Sequence, residues 1–145
     1  MSLDGDYDED NVFAKIIRGD LPAAKVYEDA HVLAFMDVFP QARGHTLVVS
    51  KKSHARNLLD VEADVLSHVI LDVQRVAKAM RAALRPDGIV VTQFNGAPAG
   101  QTVFHLHFHL IPRYESEPSR PHGQGAMADP AELAVIAKQI ASEIA

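Results

Sequence analysis

From Asn11 to Arg18, apolar Val12, Phe13, Ile16 and Ile17 fall at helical spacing behind an asparagine suited to cap a helix, and Gly19-Asp20-Leu21-Pro22 closes the segment. A short N-terminal helix is predicted there. Lys25–Glu28 and Val32–Asp37 are β-rich and separated by polar Asp29-Ala30-His31, which predicts a hairpin. Turn residues over Pro40–Gly44 precede Thr46–Ser50, whose continuous apolar character is that of a buried strand. Val61, Val65, Leu66, Val69, Val73, Val76, Ala77, Met80 and Leu84 then recur every three or four residues, predicting one long amphipathic helix. Asp60 is its expected N-cap, Glu62 and Asp64 complement the dipole of its first turn, and Pro86-Asp87-Gly88 stops it. Ile89–Phe94 reads as a fourth strand, Asn95–Gln101 as a glycine-containing loop and Val103–Ile111 as a fifth strand. The stretch from Tyr114 to Met127 is irregular, and Asp129-Pro130 sets a cap and first-turn proline for a last helix to about Ile144. Short turns join the strands except across the long helix, an order that predicts an α+β fold with a mainly antiparallel sheet rather than repeated βαβ units.

Composition narrows the classes. A chain of 145 residues, 48% hydrophobic and 23% charged, is a single soluble globular domain by size and balance. The net charge of −5 is local: five of the 19 acids, Asp4, Asp6, Asp8, Glu9 and Asp10, fall in the first ten residues, leaving 14 acids against 14 bases. Residues 1–10 are therefore expected to be a solvated, disordered acidic tail on a neutral body. No basic excess suggests a nucleic-acid or anionic-membrane partner, and no apolar run suggests a secretion signal or a membrane span. A cytoplasmic location is expected. The absence of cysteine removes disulfides, thiolate metal sites and thiol nucleophiles. Eight histidines are left to carry any soft-nucleophile or metal chemistry.

Those histidines are not scattered. Phe104-His105-Leu106-His107-Phe108-His109-Leu110-Ile111 alternates strictly, so as a strand it places His105, His107 and His109 on one face and Phe104, Leu106, Phe108 and Leu110 on the other. Burying each of the latter four contributes roughly 1.5–3 kcal/mol, and a one-residue slip would bury imidazoles instead. Two chemistries fit such a face. Two of these histidines and a third from elsewhere could hold a metal; all three on one ion are disfavoured because His105 and His109 start roughly 13 Å apart along a strand. Alternatively, an imidazole acts as a nucleophile, being largely neutral at pH 7 with a reference pKa of about 6.5. The preceding loop Asn95-Gly96-Ala97-Pro98-Ala99-Gly100-Gln101-Thr102 is rich in donors, and its glycines allow backbone N–H groups close to an anion. Imidazoles beside such a loop point to phosphate chemistry.

With this motif, the sequence resembles the histidine-triad family, in its branch of nucleotide-binding proteins and nucleoside phosphoramidases. Further matching segments, in the family's order, are Phe13 with Lys15-Ile16-Ile17, Leu21-Pro22, Tyr27-Glu28-Asp29, Leu33-Ala34-Phe35 before Asp37, Pro40-Gln41-Ala42, Gly44-His45-Thr46-Leu47-Val48, Lys51 with His54, Asn95-Gly96 and Gly100-Gln101. The resemblance spans about Asn11 to Tyr114, dividing the chain into residues 1–10, a family domain over 11–114, and an extension with a terminal helix over 115–145. It implies a five-stranded antiparallel sheet, a homodimer, and hydrolysis at the α-phosphorus of a purine nucleotide conjugate, such as an adenosine 5′-phosphoramidate, through a nucleotidyl-histidine. A dinucleoside-polyphosphate hydrolase and a regulatory nucleotide-binding module are the alternatives. By position, His107 would be the nucleophile, flanked by His105 and His109, with His45 completing the cluster. Asn95, Gln101, Thr102 and His109 would hold phosphate, Asp37 the ribose, and Phe13, Ile16, Leu21, Phe35 and Val38 the base.

The departures matter too. Many bacterial relatives bind a structural zinc through a Cys-x-x-Cys pair and two histidines. Here Asn11 and Ala14 stand at the cysteine positions, opposite His54 and His105, so no zinc and no other cofactor is expected, and His54 is read as a loop residue. Thr102 replaces a common serine.

Overall fold

The computed structural model describes residues 2–117 and 127–145. Helix α1 spans Val12–Arg18. Asn11 Oδ1 accepts from the Ala14 amide at 2.9 Å, satisfying one of the helix's orphan donors. Gly19 ends it at φ 86°, a left-handed cap that a Cβ would strain. Strands β1 (Lys25–Glu28), β2 (Val32–Met36), β3 (Thr46–Ser50), β4 (Gly88–Thr92) and β5 (His107–Arg113) form one sheet, β1-β2-β3-β5-β4, with every neighbour antiparallel. The expected five-stranded α+β architecture is thus present. Helix α2 (Ala63–Leu84) is the long crossover, and α3 (Pro130–Ala141) is the last element.

Alternation sorts the sheet into two faces. Val32, Ala34 and Met36 of β2, Val48 of β3 and Phe108 and Leu110 of β5 pack with α2 and α3 in the main core. Leu33, Phe35, Leu47 and Val49 point the other way and join Phe13 and Ile16 of α1 in a second, smaller cluster. The β3–β5 register pairs Leu47 with His109 and Val49 with His107, so both histidines lie on the α1 face.

Several expectations shift. The long helix starts at Ala63, preceded by Glu62 without a side-chain cap; the Asp60 carboxylate instead accepts from the amides of Arg56 and Asn57, closing the turn before it. Strand β5 begins only at His107, because β3 offers no partner beyond its end at Ser50. Leu106 instead gives its amide to Ala55 O and takes the Ser50 amide on its carbonyl. Phe104, expected in the core, is half-buried with the Arg56 guanidinium 4.7 Å over its ring. Strand β4 runs Gly88–Thr92, where its pairing with Arg113–His109 starts and stops. Helix α3 has the expected Asp129 cap and Pro130 start but ends at Ala141. Leu133, Ala137 and Ile140 lie in the main core, so this helix is an integral part of the domain. Much of the irregular stretch expected over Tyr114–Met127 lies outside the described residues.

The first ten residues also depart from a free tail. Asp4, Asp6, Asp8, Glu9 and Asp10 are exposed, as expected. Yet Leu3 O accepts from Asn57 Nδ2 at 3.1 Å, Ser2 Oγ accepts from the Ala97 amide at 2.8 Å, and Tyr7 is docked against His105. The acids face water while the residues between them grip the domain.

Candidate active site

Four imidazoles gather on the α1 face, each held by the main chain or by another ring. His107 Nδ1 lies 2.6 Å from the carbonyl oxygen of His105. A carbonyl only accepts, so the proton sits on Nδ1 and the lone pair of neutral His107 sits on Nε2. His45 has the opposite tautomer. Its Nδ1 takes the Gln41 amide at 3.0 Å, which puts its proton on Nε2, 3.0 Å from His109 Nδ1 and 3.4 Å from Asp37 Oδ2. His109 therefore accepts on Nδ1 and carries its proton on Nε2. The rings of His107 and His109 are 5.1 Å apart, and the edge of Phe13 meets His107 at 4.7 Å. The two neighbouring histidines thus offer complementary chemistry, one a nucleophilic lone pair and the other an N–H donor.

His107 and His109 border a cavity of about 250 Å³. Phe13, Ile16, Phe35 and Val38 line it, as do the polar residues Asp37 and Thr102. One Asp37 oxygen accepts from the Phe39 amide at 2.8 Å and the other faces His45. A larger hollow of about 910 Å³ lies between α3 and the turn before β3 and touches His45, but it contains neither His107 nor Thr102. The smaller cavity is where the reactive groups converge. Among the described residues, Asp37, His45 and His109 also bring their ligand atoms within 4.8 Å of one another, a possible cation cluster that omits His107 and His105.

A profile of the HIT domain matches residues 18–116. The chain belongs to the HIT domain family. Among similar HIT proteins, Protein hit of Bacillus subtilis is 45% identical over 106 residues, covering 73% of this chain and 72% of its own. The crystal structure of a Bartonella henselae Hit-like protein involved in cell-cycle regulation, with an unknown ligand, superposes with a TM-score of 0.89 at 48% identity, covering 96% of this chain and 99% of that one. A hypothetical histidine triad nucleotide-binding protein from Sulfolobus tokodaii gives a TM-score of 0.82 at 31% identity, over 91% and 90% of the two chains.

Not every expected residue of the HIT site reaches the cavity. Leu21 lies outside it and is 38% exposed: the chain turns after Gly19, and Pro22 and Ala23 form the wall instead. Gln101 is buried with its amide fully committed, Nε2 to Arg56 O and Val103 O and Oε1 to the Gly96 amide. It staples the loop together and has no donor left for a phosphate. Asn95 Oδ1 accepts from the Leu58 amide and Gln93 Nε2, each at 3.0 Å, so its oxygen likewise ties loop to loop. Gln41, whose amide sets the His45 tautomer, entered the sequence reading only within the matching segment Pro40-Gln41-Ala42 and with no role, because the contact is a backbone one. Val12, Phe39 and Leu47 of the wall were hidden among apolar runs that do not disclose which face is which.

The structural zinc of many HIT relatives does not fit here. Ala14 offers no ligand atom, and Asn11 spends Oδ1 on the helix cap and Nδ2 on Asp8 O. Both ring nitrogens of His105 are occupied, Nε2 by Ser50 O at 2.6 Å and Nδ1 by the Tyr7 hydroxyl at 2.7 Å. His54 is exposed, its ring stacked on Tyr7 at 4.6 Å.

Proposed function

We propose that the protein is a nucleotide hydrolase that cleaves AMP conjugates of the phosphoramidate type at the α-phosphorus, through a nucleotidyl intermediate on His107. The observation that carries this reading is the tautomer of His107: its Nδ1–H is held by the His105 carbonyl, so Nε2 presents a lone pair at the edge of an apolar cavity. In the first step Nε2 attacks phosphorus, the bond to the leaving amine breaks, and the amine departs with a proton from solvent. The positive charge that develops on the ring is stabilised by the carbonyl already facing Nδ1–H. The His109 Nε2–H donates to an α-phosphate oxygen as its negative charge grows, and Thr102 adds a hydroxyl on the same side. Water then attacks phosphorus and gives up a proton to solvent, Nε2 leaves with its electron pair, and AMP and neutral His107 are released.

The cavity lined by Phe13, Ile16, Phe35 and Val38 suits an apolar base such as a purine, and the Asp37 carboxylate in the same lining suits the ribose hydroxyls. A second copy of the chain is the proposed partner. Strand β4 is a sheet edge with Val90 and Val91 exposed, and Ile70 and Leu71 on α2 are exposed as well, the kind of uncovered apolar edge that pairing removes. Among the described residues no helix is long and apolar enough to cross a membrane; a cytoplasmic location is part of the proposal.

The test is to mix the protein with adenosine 5′-phosphoramidate or a dinucleoside polyphosphate, quench, and measure intact mass. An AMP adduct that maps to His107 with the phosphoramidate supports the reading. An adduct with the dinucleotide alone would make the protein a polyphosphate hydrolase, and AMP binding with no adduct and no turnover would make it a binding module.

A further inference from the structure

Tyr7 is the one described residue of the acidic N-terminal segment whose side chain reaches the histidine motif. Its hydroxyl is 2.7 Å from His105 Nδ1, and its ring lies flat on His54, 4.6 Å away with 2° between the planes. The direction of that bond follows from the other side of the ring. Ser50 O can only accept, so neutral His105 carries its proton on Nε2 and a lone pair on Nδ1, and Tyr7 must donate. Burial raises the Tyr7 hydroxyl above its ordinary pKa and lowers that of the His105 ring, with the Ser50 carbonyl opposing and His54 adding to the latter shift. Both effects favour the donor and acceptor forms that the geometry needs. His105 precedes β5 and is outside its ladder, so its ring contacts, together with the Leu106 amide on Ala55 O, hold its backbone in place. The same residue's carbonyl receives Nδ1–H of His107.

We propose that Tyr7 is a positioning residue for the reaction: by pinning the His105 ring it holds the carbonyl that fixes the tautomer and orientation of His107, a task that this chain gives to its own N-terminal segment. The metal-free brace is made of a phenol, a stacked imidazole and a backbone carbonyl. The kinetic part of the proposal rests on the covalent reading above; the tautomer part does not.

Tyr7→Phe keeps the stack on His54 and removes only the donor. A buried lone pair on His105 Nδ1 is then left without its partner, and the ring turns to find another. Asn11 Nδ2 stands 3.4 Å from the same nitrogen and is the nearest substitute, so the decisive variant combines Tyr7→Phe with Asn11→Ser, which keeps a side-chain oxygen for the α1 cap. The measurement is the ¹⁵N imidazole spectrum of His107 in the full-length protein, with thermal melting as a check of folding. Wild type should give the single Nδ1–H form, and the double variant an exchanging mixture of tautomers. In a single turnover of the phosphoramidate, formation of the His107 adduct should slow about tenfold, the rate equivalent of one hydrogen bond, with AMP affinity unchanged within twofold. A His107 that stays entirely Nδ1–H in the folded double variant overturns the proposal whatever the rate does. If wild type turns over no AMP conjugate, the covalent reading fails alone, and the spectrum still decides the role of Tyr7.

Discussion

The assignment of Gln101 as a loop staple makes a prediction opposite to that for a phosphate ligand. Gln101→Glu keeps the side-chain length and the acceptor for the Gly96 amide but removes both N–H donors. It faces an anionic oxygen toward the carbonyls of Arg56, at 2.7 Å, and Val103, at 3.1 Å. Leaving two buried acceptors unpaired costs about 1–3 kcal/mol each, and relaxation of the loop recovers part of it, so about 2–4 kcal/mol of stability should be lost, or on the order of 10 °C in Tm. The introduced carboxyl can replace one donor when protonated. Its folded pKa is then raised above the unfolded value of about 4.3, so the loss is smallest below that pH and grows as pH rises through the folded pKa. Urea and thermal melts at pH 5 and pH 8, with AMP titrations on the folded fraction, measure this. Wild-type stability at pH 8 together with weakened AMP binding would refute the staple and restore Gln101 as a direct phosphate ligand.

Other expectations follow from the same contacts. His107→Ala should abolish turnover and the AMP adduct in a protein that still folds, though with a lowered Tm because the His105 carbonyl loses its donor, and activity of the wild type should survive chelation; loss on chelation with recovery on adding zinc would replace the covalent scheme by a metal one at Asp37, His45 and His109. Asp72 on α2 is pushed up to about 7 by burial and by the neighbouring Asp29 carboxylate, while Asp29, against its own burial, is held low by hydrogen bonds from Asp72, the His31 and Val32 amides and Tyr27. The folded pair thus keeps a proton that the unfolded chain loses above about pH 4, so this contribution to stability declines from about pH 4 to 7; Asp72→Asn should melt higher than wild type at pH 8, by a smaller margin at about pH 5, and no higher below about pH 4. Val91→Arg on the open β4 edge should convert a dimer to monomers in sedimentation equilibrium, and a wild-type protein that sediments as a monomer would sink the pairing through that edge.

How much of this was legible in the sequence depends on which atoms carry it. Side-chain periodicity revealed all five strands and the three helices, because the alternation of β2 and β5 and the three-and-four spacing of α2 are themselves the burial pattern. Element ends were harder: β5 starts two residues past His105 because β3 runs out of partners, a fact about register between strands nearly sixty residues apart. The family resemblance grouped Phe13, Ile16, Leu21, Phe35 and Val38 with Asp37; all but Leu21 line the cavity, and its neighbour Pro22 takes its place. The first ten residues misled because charge dominated their composition, while the contacts that anchor them use two backbone or hydroxyl oxygens and one phenol.

The histidines show the same division within a single motif. His107 and His109 are the same residue type, two apart on one strand and facing one way, yet one offers a lone pair and the other a proton. That difference comes from main-chain groups: a carbonyl fixes His107 directly, and the Gln41 amide fixes His109 at one remove, through His45. A chain with identical histidines but a different path through the turn before β3 would lose the donor on His109 without losing any residue of the motif. The spacing of imidazoles therefore identifies where the rings gather, and the backbone around them decides which ring carries its lone pair on Nε2 and which carries its proton there.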